Sequence, residues 1–169
     1  MKDTFTTKNP KKMKETFTTK NPRTYCLKTG TINVYGMNER TLKYFNVINE
    51  IEKAKLDICA IQETLIITPE GLRTNTVGNY DIYLSGYKRA PNKRKKDENN
   101  GESCHNCGVG IAVRKNKNIT VLDVEAISPR IITLKLDCYG YNIKIASIYA
   151  PPNTVSNSEN VKNMFWKNL

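Results

Sequence analysis

The first third of the chain carries its apolar residues in a strand, helix, strand order. Two short segments, residues 30–34 and 57–62, are rich in the apolar and β-branched residues that strands favour. Between them, apolar residues recur at the spacing of one helix face: Leu42, Phe45, Ile48 and Ile51. Because a connecting helix makes the two strands parallel, their ends are expected at the same edge of a sheet.

After residue 108 the hydrophobic pattern changes to a period of two. Alternate apolar residues mark one face of a predicted strand: Ile132, Leu134, Leu136 and Cys138. A turn at residues 139–141 leads into a second alternating segment, which predicts an antiparallel pair. Apolar residues at helical spacing from about Ser158 predict a final helix. The patterns predict an α/β (α+β) fold, a partial two-sheet α/β sandwich with a βαβ start and then antiparallel strands.

Polar side chains stand at the ends of the two first predicted strands. Asn33 ends one strand, and Glu63 follows the other. Loops at strand ends are where α/β folds usually place their chemistry, so we expect these two side chains to lie close together. Mg²⁺ is usually held by one or two carboxylates with water and phosphate oxygens, so one Glu can anchor such a site. The spacing leaves open that Glu63 caps a loop or pairs with a surface lysine.

The net charge of +11 is concentrated in two regions. Residues 1–28 hold eight Lys or Arg against Asp3 and Glu15. Six more cations lie in a basic loop, residues 88–107: Lys88, Arg89, Lys93, Arg94, Lys95 and Lys96. Such residues neutralise phosphates, which predicts contact with DNA. A solvated or nuclear-localisation-like charge run is the equally weighted alternative.

The N-terminal tail, residues 1–26, contains a seven-residue sequence twice, at residues 4–10 and 16–22. Polar segments punctuated by proline bury little surface, so we expect this tail to be disordered and the domain to occupy residues 27–169. Five cysteines, an odd number, indicate reduced thiols. The chain has no apolar stretch typical of a signal peptide or membrane span, which predicts a nuclear or cytoplasmic protein that is not secreted.

Cys104, His105 and Cys107 raise the possibility of zinc, because two thiolates and an imidazole supply three tetrahedral ligands. A structural zinc site needs a fourth ligand, and the sequence offers none nearby. A loop with two free thiols is the favoured interpretation, and the role of these residues is left open.

Five segments in order resemble the endonuclease/exonuclease/phosphatase superfamily: residues 30–33, 57–63, 108–113, 128–132 and 148–153. The sequence is most similar to the endonuclease domain of RTE-type non-LTR retrotransposons and to craniofacial development protein 2-like proteins. The resemblance extends from about Leu27 to the C-terminus. It implies a DNA endonuclease that hydrolyses phosphodiesters with Mg²⁺ or Mn²⁺ and uses no small-molecule cofactor.

The resemblance also implies roles for individual residues. Glu63 and Asn33 correspond to the catalytic residues at the metal. Of the two, Glu63 matches the metal ligand, and Asn33 belongs to the metal site as a residue that contacts the scissile phosphate or orients a metal-bound water. Arg130 matches a position that supports the active-site edge and the substrate. The chain departs from the family at Ile32, where an aromatic residue is usual. A family tyrosine near the phosphate would fall at residues 105–107, where this chain has none.

Two later family motifs, Gly-Asp-x-Asn and Ser-Asp-His, do not occur in the sequence. They supply the carboxylate that activates water and the histidine that stabilises the phosphate. We therefore expect a truncated, N-terminal part of a nuclease domain that is inactive alone. The alternative is a degenerate, non-enzymatic remnant that binds nucleic acid or nothing. A relative acting on phosphoinositides or sphingomyelin is a third hypothesis, but the chain has no membrane-facing apolar stretch; the oligomeric state is left open.

Overall fold

A computed structural model describes residues 25–37, 42–87, 107–151 and 159–169. The predicted basic loop, apart from Cys107, and the predicted tail, apart from residues 25 and 26, lie outside these ranges. The elements, in chain order, are β1 (Thr29–Asn33), α1 (Leu42–Lys53), β2 (Ile58–Gln62), β3 (Leu72–Val77), β4 (Tyr80–Ser85), β5 (Val109–Arg114), β6 (Ile119–Ser128), β7 (Ile131–Cys138), β8 (Tyr141–Ile148) and α2 (Glu159–Lys167).

The strands form two sheets. The first has five strands in the order β1-β2-β5-β4-β3, and the second has three in the order β6-β7-β8. Only β1 and β2 are parallel, with Asn33 opposite Gln62; every other strand pair of the described ranges is antiparallel. The predicted fold class, a partial two-sheet α/β sandwich with a βαβ start followed by antiparallel strands, is confirmed.

Two apolar clusters lie on opposite faces of the five-stranded sheet. Cys59 and Ile61 of β2 pack in one cluster with the buried residues of α1. Ile58 of the same strand and Ile111 of β5 belong to the other, which also contains the inward residues of β7. This alternation follows from strand geometry, since successive side chains point to opposite faces. The five-stranded sheet is therefore the middle layer between α1 and the second sheet.

The helix α1 is present, but its buried face differs from the predicted one. Leu42 and Phe45 are exposed, at 81% and 48%, whereas Ile48 is buried as predicted. Tyr44 takes the inward position at 2% exposure and accepts a hydrogen bond of 3.3 Å from Asn75 Nδ2. A tyrosine is buried readily when its hydroxyl has a hydrogen-bond partner. The buried face of α1 therefore includes Tyr44 in place of Leu42 and Phe45.

The predicted inner face of β7 is confirmed, because its four alternate residues are all buried: Ile132, Leu134, Leu136 and Cys138. In β6 the register shifts between Val121 and Asp123. A bulge of this kind changes the phase of the alternation, which leaves Leu122 50% exposed.

In the final helix α2, Phe165 is buried while Met164 is 45% exposed. None of the helices in the described ranges has the length and apolar character needed to cross a membrane.

Candidate functional site

The ends of β1 and β2 bring an amide and a carboxylate into contact. Asn33 Nδ2 donates a hydrogen bond of 2.8 Å to Glu63 Oε1. The loops that follow the two strands stay paired, since the Gly36 amide donates to the Glu63 carbonyl at 2.7 Å and the Met37 amide to the Thr64 carbonyl at 2.7 Å. The predicted proximity of Asn33 and Glu63 at one sheet edge is confirmed.

A third polar side chain reaches this carboxylate from the second sheet. The Tyr149 hydroxyl, just after β8, donates a hydrogen bond of 2.6 Å to Glu63 Oε1. Burial, followed by the hydrogen bond and the negative charge of Glu63, raises the pKa of Tyr149 to about 12. The hydroxyl is therefore protonated at neutral pH and acts as a donor. Tyr149 was not among the predicted site residues; its only sequence signal is its place in the segment 148–153 that resembles the superfamily.

The two side-chain hydrogen bonds to the Glu63 carboxylate are made to the same oxygen. Glu63 is only 7% exposed, and both hydrogen bonds end on Oε1. Within the described ranges no residue donates a hydrogen bond to Oε2. Oε2 is not one of the described side-chain atoms that are fully buried without a partner, so it reaches the surface and is the carboxylate oxygen that a cation could approach.

The backbone around the carboxylate has an unusual conformation. Glu63 has a φ of 55°, Tyr35 of 48° and Leu65 of 55°, all in the left-handed region that residues with a β-carbon rarely adopt. Such conformations cost of order 1–3 kcal/mol each and persist where the surroundings impose them, often at functional sites. Three of them within these two adjacent loops support the assignment of a functional site here.

Hydrogen bonds between the sheets fix the end of β2. Ser147 of β8, 1% exposed, donates to the Ile61 carbonyl at 3.1 Å and accepts from Gln62 Nε2 at 3.3 Å. Thr31 Oγ1 donates to Gln62 Oε1 at 2.9 Å. These contacts connect β1, β2 and β8 directly beneath the site, so the positions of Glu63 and Tyr149 are set by both sheets.

Arg130 contacts both the ring and the backbone of Tyr149. It is 2% exposed, its guanidinium carbon lies 5.5 Å from the centre of the Tyr149 ring, and its Nη1 donates to the Tyr149 carbonyl at 3.4 Å. A guanidinium over an aromatic face is attracted by the ring. The structure thus places Arg130 where it supports Tyr149 and the site edge, and its predicted contact with substrate stays a prediction.

The loop after Glu63 packs against the start of β5. The Thr64 amide donates to the Gly108 carbonyl at 2.9 Å, and the Leu65 amide to the Cys107 carbonyl at 3.0 Å. Gly108 has a φ of 107°, and a β-carbon there would lie 2.4 Å from Thr64 Oγ1. Cys107 is buried and its thiol contacts the Tyr87 hydroxyl. Cys107, at the position where the resemblance places a tyrosine, therefore lies beside a tyrosine from another segment.

The donor set can be compared with what a metal requires. No group of three or more His, Cys, Asp or Glu side chains occurs within the part of the chain that the structure describes. A single carboxylate whose Oε2 accepts no hydrogen bond from the described residues still fits Mg²⁺ or Mn²⁺, because Mg²⁺ keeps several waters and takes phosphate oxygens as ligands. The Asn33 amide nitrogen faces Glu63 and orients it, and the role of Asn33 as a ligand or phosphate contact stays a prediction.

Several predicted site residues lie outside the described ranges. Cys104 and His105, the candidates for zinc, are among them. The predicted DNA-binding cations of the basic loop also lie outside: Lys88, Arg89, Lys93, Arg94, Lys95 and Lys96.

No protein-family model matches this sequence, and a search of curated proteins finds no match. The resemblance to the superfamily therefore depends on the five sequence segments alone.

Proposed function

We propose that this domain forms the metal-binding part of a Mg²⁺-dependent DNA endonuclease site of the endonuclease/exonuclease/phosphatase type, of retrotransposon origin. The observation that carries the proposal is the convergence of Asn33 and Tyr149 on Glu63, at 2.8 and 2.6 Å. Side chains from both sheets meet on one carboxylate at a strand end. A surface ion pair would need a positively charged partner, and Asn33 and Tyr149 are neutral. A loop cap would not need a hydrogen bond from the second sheet.

Each residue of the site has a separate proposed role. Mg²⁺ or Mn²⁺, when bound, polarises a phosphoryl oxygen and neutralises its charge. Glu63 Oε2 would hold the ion while Asn33 and Tyr149 fix Oε1. Because the pKa of Tyr149 is raised to about 12, this hydroxyl is a donor and a poor base at neutral pH. Arg130 keeps the Tyr149 ring in place.

Hydrolysis also needs a group that deprotonates water and a second group that stabilises the phosphate. The sequence contains neither Gly-Asp-x-Asn nor Ser-Asp-His. We therefore propose that the 169-residue chain binds the metal and DNA in the nucleus or cytoplasm but does not cleave DNA alone.

Binding of Mn²⁺, followed by its paramagnetic broadening of amide resonances, tests the metal site. We expect broadening around Glu63 in the unaltered chain and its loss in Glu63→Gln, which keeps the shape and removes the charge. Glu50→Gln is the matched control, because Glu50 is an exposed carboxylate on α1. Broadening that is unchanged in Glu63→Gln would refute the metal site.

A plasmid-nicking assay in Mg²⁺ tests the claim about activity. We expect no nicking above the level of Glu63→Gln. Nicking that depends on Glu63 would refute the claim that this polypeptide is inactive alone, while supporting the metal site.

A non-enzymatic remnant that binds nucleic acid is the second candidate, favoured by the two absent motifs and the net charge of +11. It differs in one measurable respect. DNA binding by a remnant is weakened by Mg²⁺, as by any added salt, to the same extent in the unaltered chain and in Glu63→Gln. A metal site adjacent to the phosphate instead makes DNA and Mg²⁺ strengthen each other's binding in the unaltered chain alone.

A further inference from the structure

One large aromatic side chain beside the site is left outside the core. Tyr35 follows Asn33 by two residues and is 73% exposed. Single exposed apolar residues are common on protein surfaces. Tyr35 differs from a scattered surface residue because its backbone is bound into the site.

Three contacts fix the Tyr35 backbone. Its amide donates to Asn33 Oδ1 at 3.2 Å, while the other end of the same Asn33 side chain donates to Glu63. Its carbonyl accepts a hydrogen bond of 2.8 Å from Lys43 Nζ. Its φ of 48° lies in the left-handed region, so the chain turns there. One asparagine side chain thus separates Tyr35 from the candidate metal ligand, and an ammonium group lies beside it.

A second apolar side chain extends this surface. Leu65 follows Glu63 by two residues, is 44% exposed and has a φ of 55°. A β-carbon added to Gly36 would lie 3.1 Å from Leu65 Cδ1, so Leu65 covers the glycine that follows Tyr35. We call Tyr35, Gly36 and Leu65 the apolar rim; it lies where the two strand-end loops pair.

The chemistry of the apolar rim fits a nucleobase. Aromatic side chains on single-strand-binding proteins stack on bases of any sequence, beside cations that contact the backbone. Lys43 supplies a local cation, and the net charge of +11 favours a polyanion such as DNA over a neutral or basic partner. In an intact duplex the faces of internal bases are covered by their neighbours, so a ring can stack only on a base that is unpaired or extruded.

We propose that Tyr35 stacks on an unpaired base next to the phosphate held at Glu63, so that the site takes DNA with single-stranded character in preference to intact duplex. This inference rests on the proposed function, since Glu63 marks the phosphate position. Leu65 packs against the edge of the same nucleotide.

Binding of a single-stranded oligonucleotide of about 12 nucleotides, with 2-aminopurine as the reporter base, tests the proposal in the presence of Mg²⁺ at physiological salt. Three variants are compared with the unaltered chain. Tyr35→Ala removes the ring, and Tyr35→Phe keeps it. Tyr141→Ala removes a ring that is 67% exposed at the start of β8, the end of that strand opposite Tyr149.

We expect Tyr35→Ala to weaken single-strand binding about tenfold and to lose the quenching of 2-aminopurine fluorescence, while Tyr35→Phe and Tyr141→Ala retain both. We also expect a smaller effect of Tyr35→Ala on intact duplex of matched composition. Equal binding by Tyr35→Ala and the unaltered chain would overturn the inference, as would an equal loss in Tyr141→Ala.

The two proposals fail separately. Mn²⁺ binding that depends on Glu63, together with DNA binding that is indifferent to Tyr35, would overturn only the stacking role. DNA binding that depends on Tyr35, without Glu63-dependent Mn²⁺ binding, would overturn the metal site and with it the assigned phosphate position, leaving a base-binding surface. Circular dichroism of each variant checks that the fold is retained, which the exposure of Tyr35 favours.

Discussion

The Tyr149 hydroxyl lies 2.6 Å from Glu63 Oε1, although 86 positions separate the two residues in sequence. The contact joins the end of a strand in the second sheet to the end of a strand in the first. Glu63 lies just after the parallel pair, and Tyr149 just after β8. The position of the Glu63 carboxylate therefore depends on how the two sheets pack. Loss of the Tyr149 hydrogen bond should lower both the stability of the fold and the affinity for metal.

Tyr149→Phe should destabilise the fold by about 2 kcal/mol. The change removes a hydrogen bond to a carboxylate and leaves a buried oxygen with one donor fewer. The free energy of unfolding in urea measures the effect. Tyr141→Phe serves as the control, because that side chain is 67% exposed and its loss of a hydroxyl should change stability by less than about 0.5 kcal/mol. Equal stability of the two variants would contradict the role assigned to the Tyr149 hydroxyl.

The stability of the protein should also depend on Tyr149 at alkaline pH. Its pKa is raised from 10.0 to about 12 by burial first and by Glu63 second. The folded state therefore keeps this proton more tightly than the unfolded state does. The stabilising contribution is complete below about pH 10 and is lost as the pH rises towards 12.

Absorbance of tyrosinate during an alkaline titration measures this behaviour. Among the nine tyrosines, we expect a late-titrating component that disappears in Tyr149→Phe. A second late component from Tyr83, whose pKa is raised by burial and then by Asp81, should remain. A titration in which Tyr149→Phe removes only an ordinary component would contradict the assignment.

Gly108→Ala should destabilise the protein by about 2 kcal/mol or more. The new methyl group would lie 2.4 Å from Thr64 Oγ1, at a φ of 107° that disfavours any β-carbon. Gly71→Ala is a matched control, because Gly71 has a φ of 85° and nothing within 4 Å of the added atom. It should cost about 1 kcal/mol from backbone strain alone. The difference between the two unfolding free energies isolates the steric clash.

Since Thr64 follows Glu63 directly, Gly108→Ala should also weaken Mn²⁺ binding, and Gly71→Ala should not. Equal metal binding by both variants would show that the loop adjusts without moving the carboxylate.

The cysteines should differ in their reaction with a thiol reagent. Cys26 is exposed, whereas Cys59 is buried and burial raises its pKa to about 11. At about pH 8 the folded protein should be labelled quickly at Cys26, while Cys59 reacts only after denaturation, because the thiolate is the reactive form. Peptide mass spectrometry after labelling identifies each site. Rapid labelling of Cys59 in the folded state would contradict its burial.

The position of the carboxylate was predictable because it depends on local rules. An apolar strand, a helix and another apolar strand make a parallel pair, and the strand ends then meet, as Asn33 and Glu63 do. The faces of β7 were predictable for the same reason, since a strand alternates its side chains. These parts of the fold follow from periodicity alone.

The contribution of Tyr149 could not be derived from periodicity, since the contact is set by the packing of one sheet on the other. The buried stripe of α1 illustrates a related limit. Phe45 and Tyr44 are both compatible with the apolar spacing, and the choice between them depends on the partner that Asn75 offers to a hydroxyl. Such choices depend on long-range contacts, which have no local signature.

The strand β1 should unfold locally before the rest of the domain. Among the described strands β1 is the outermost of its sheet and pairs only with β2, and three of its five residues are exposed. Peripheral strands with few buried contacts open at lower free energy than the body of a domain. Its amides should therefore exchange with deuterium faster than those of β5, and mild warming should detach Asn33 from the carboxylate before the rest of the domain unfolds.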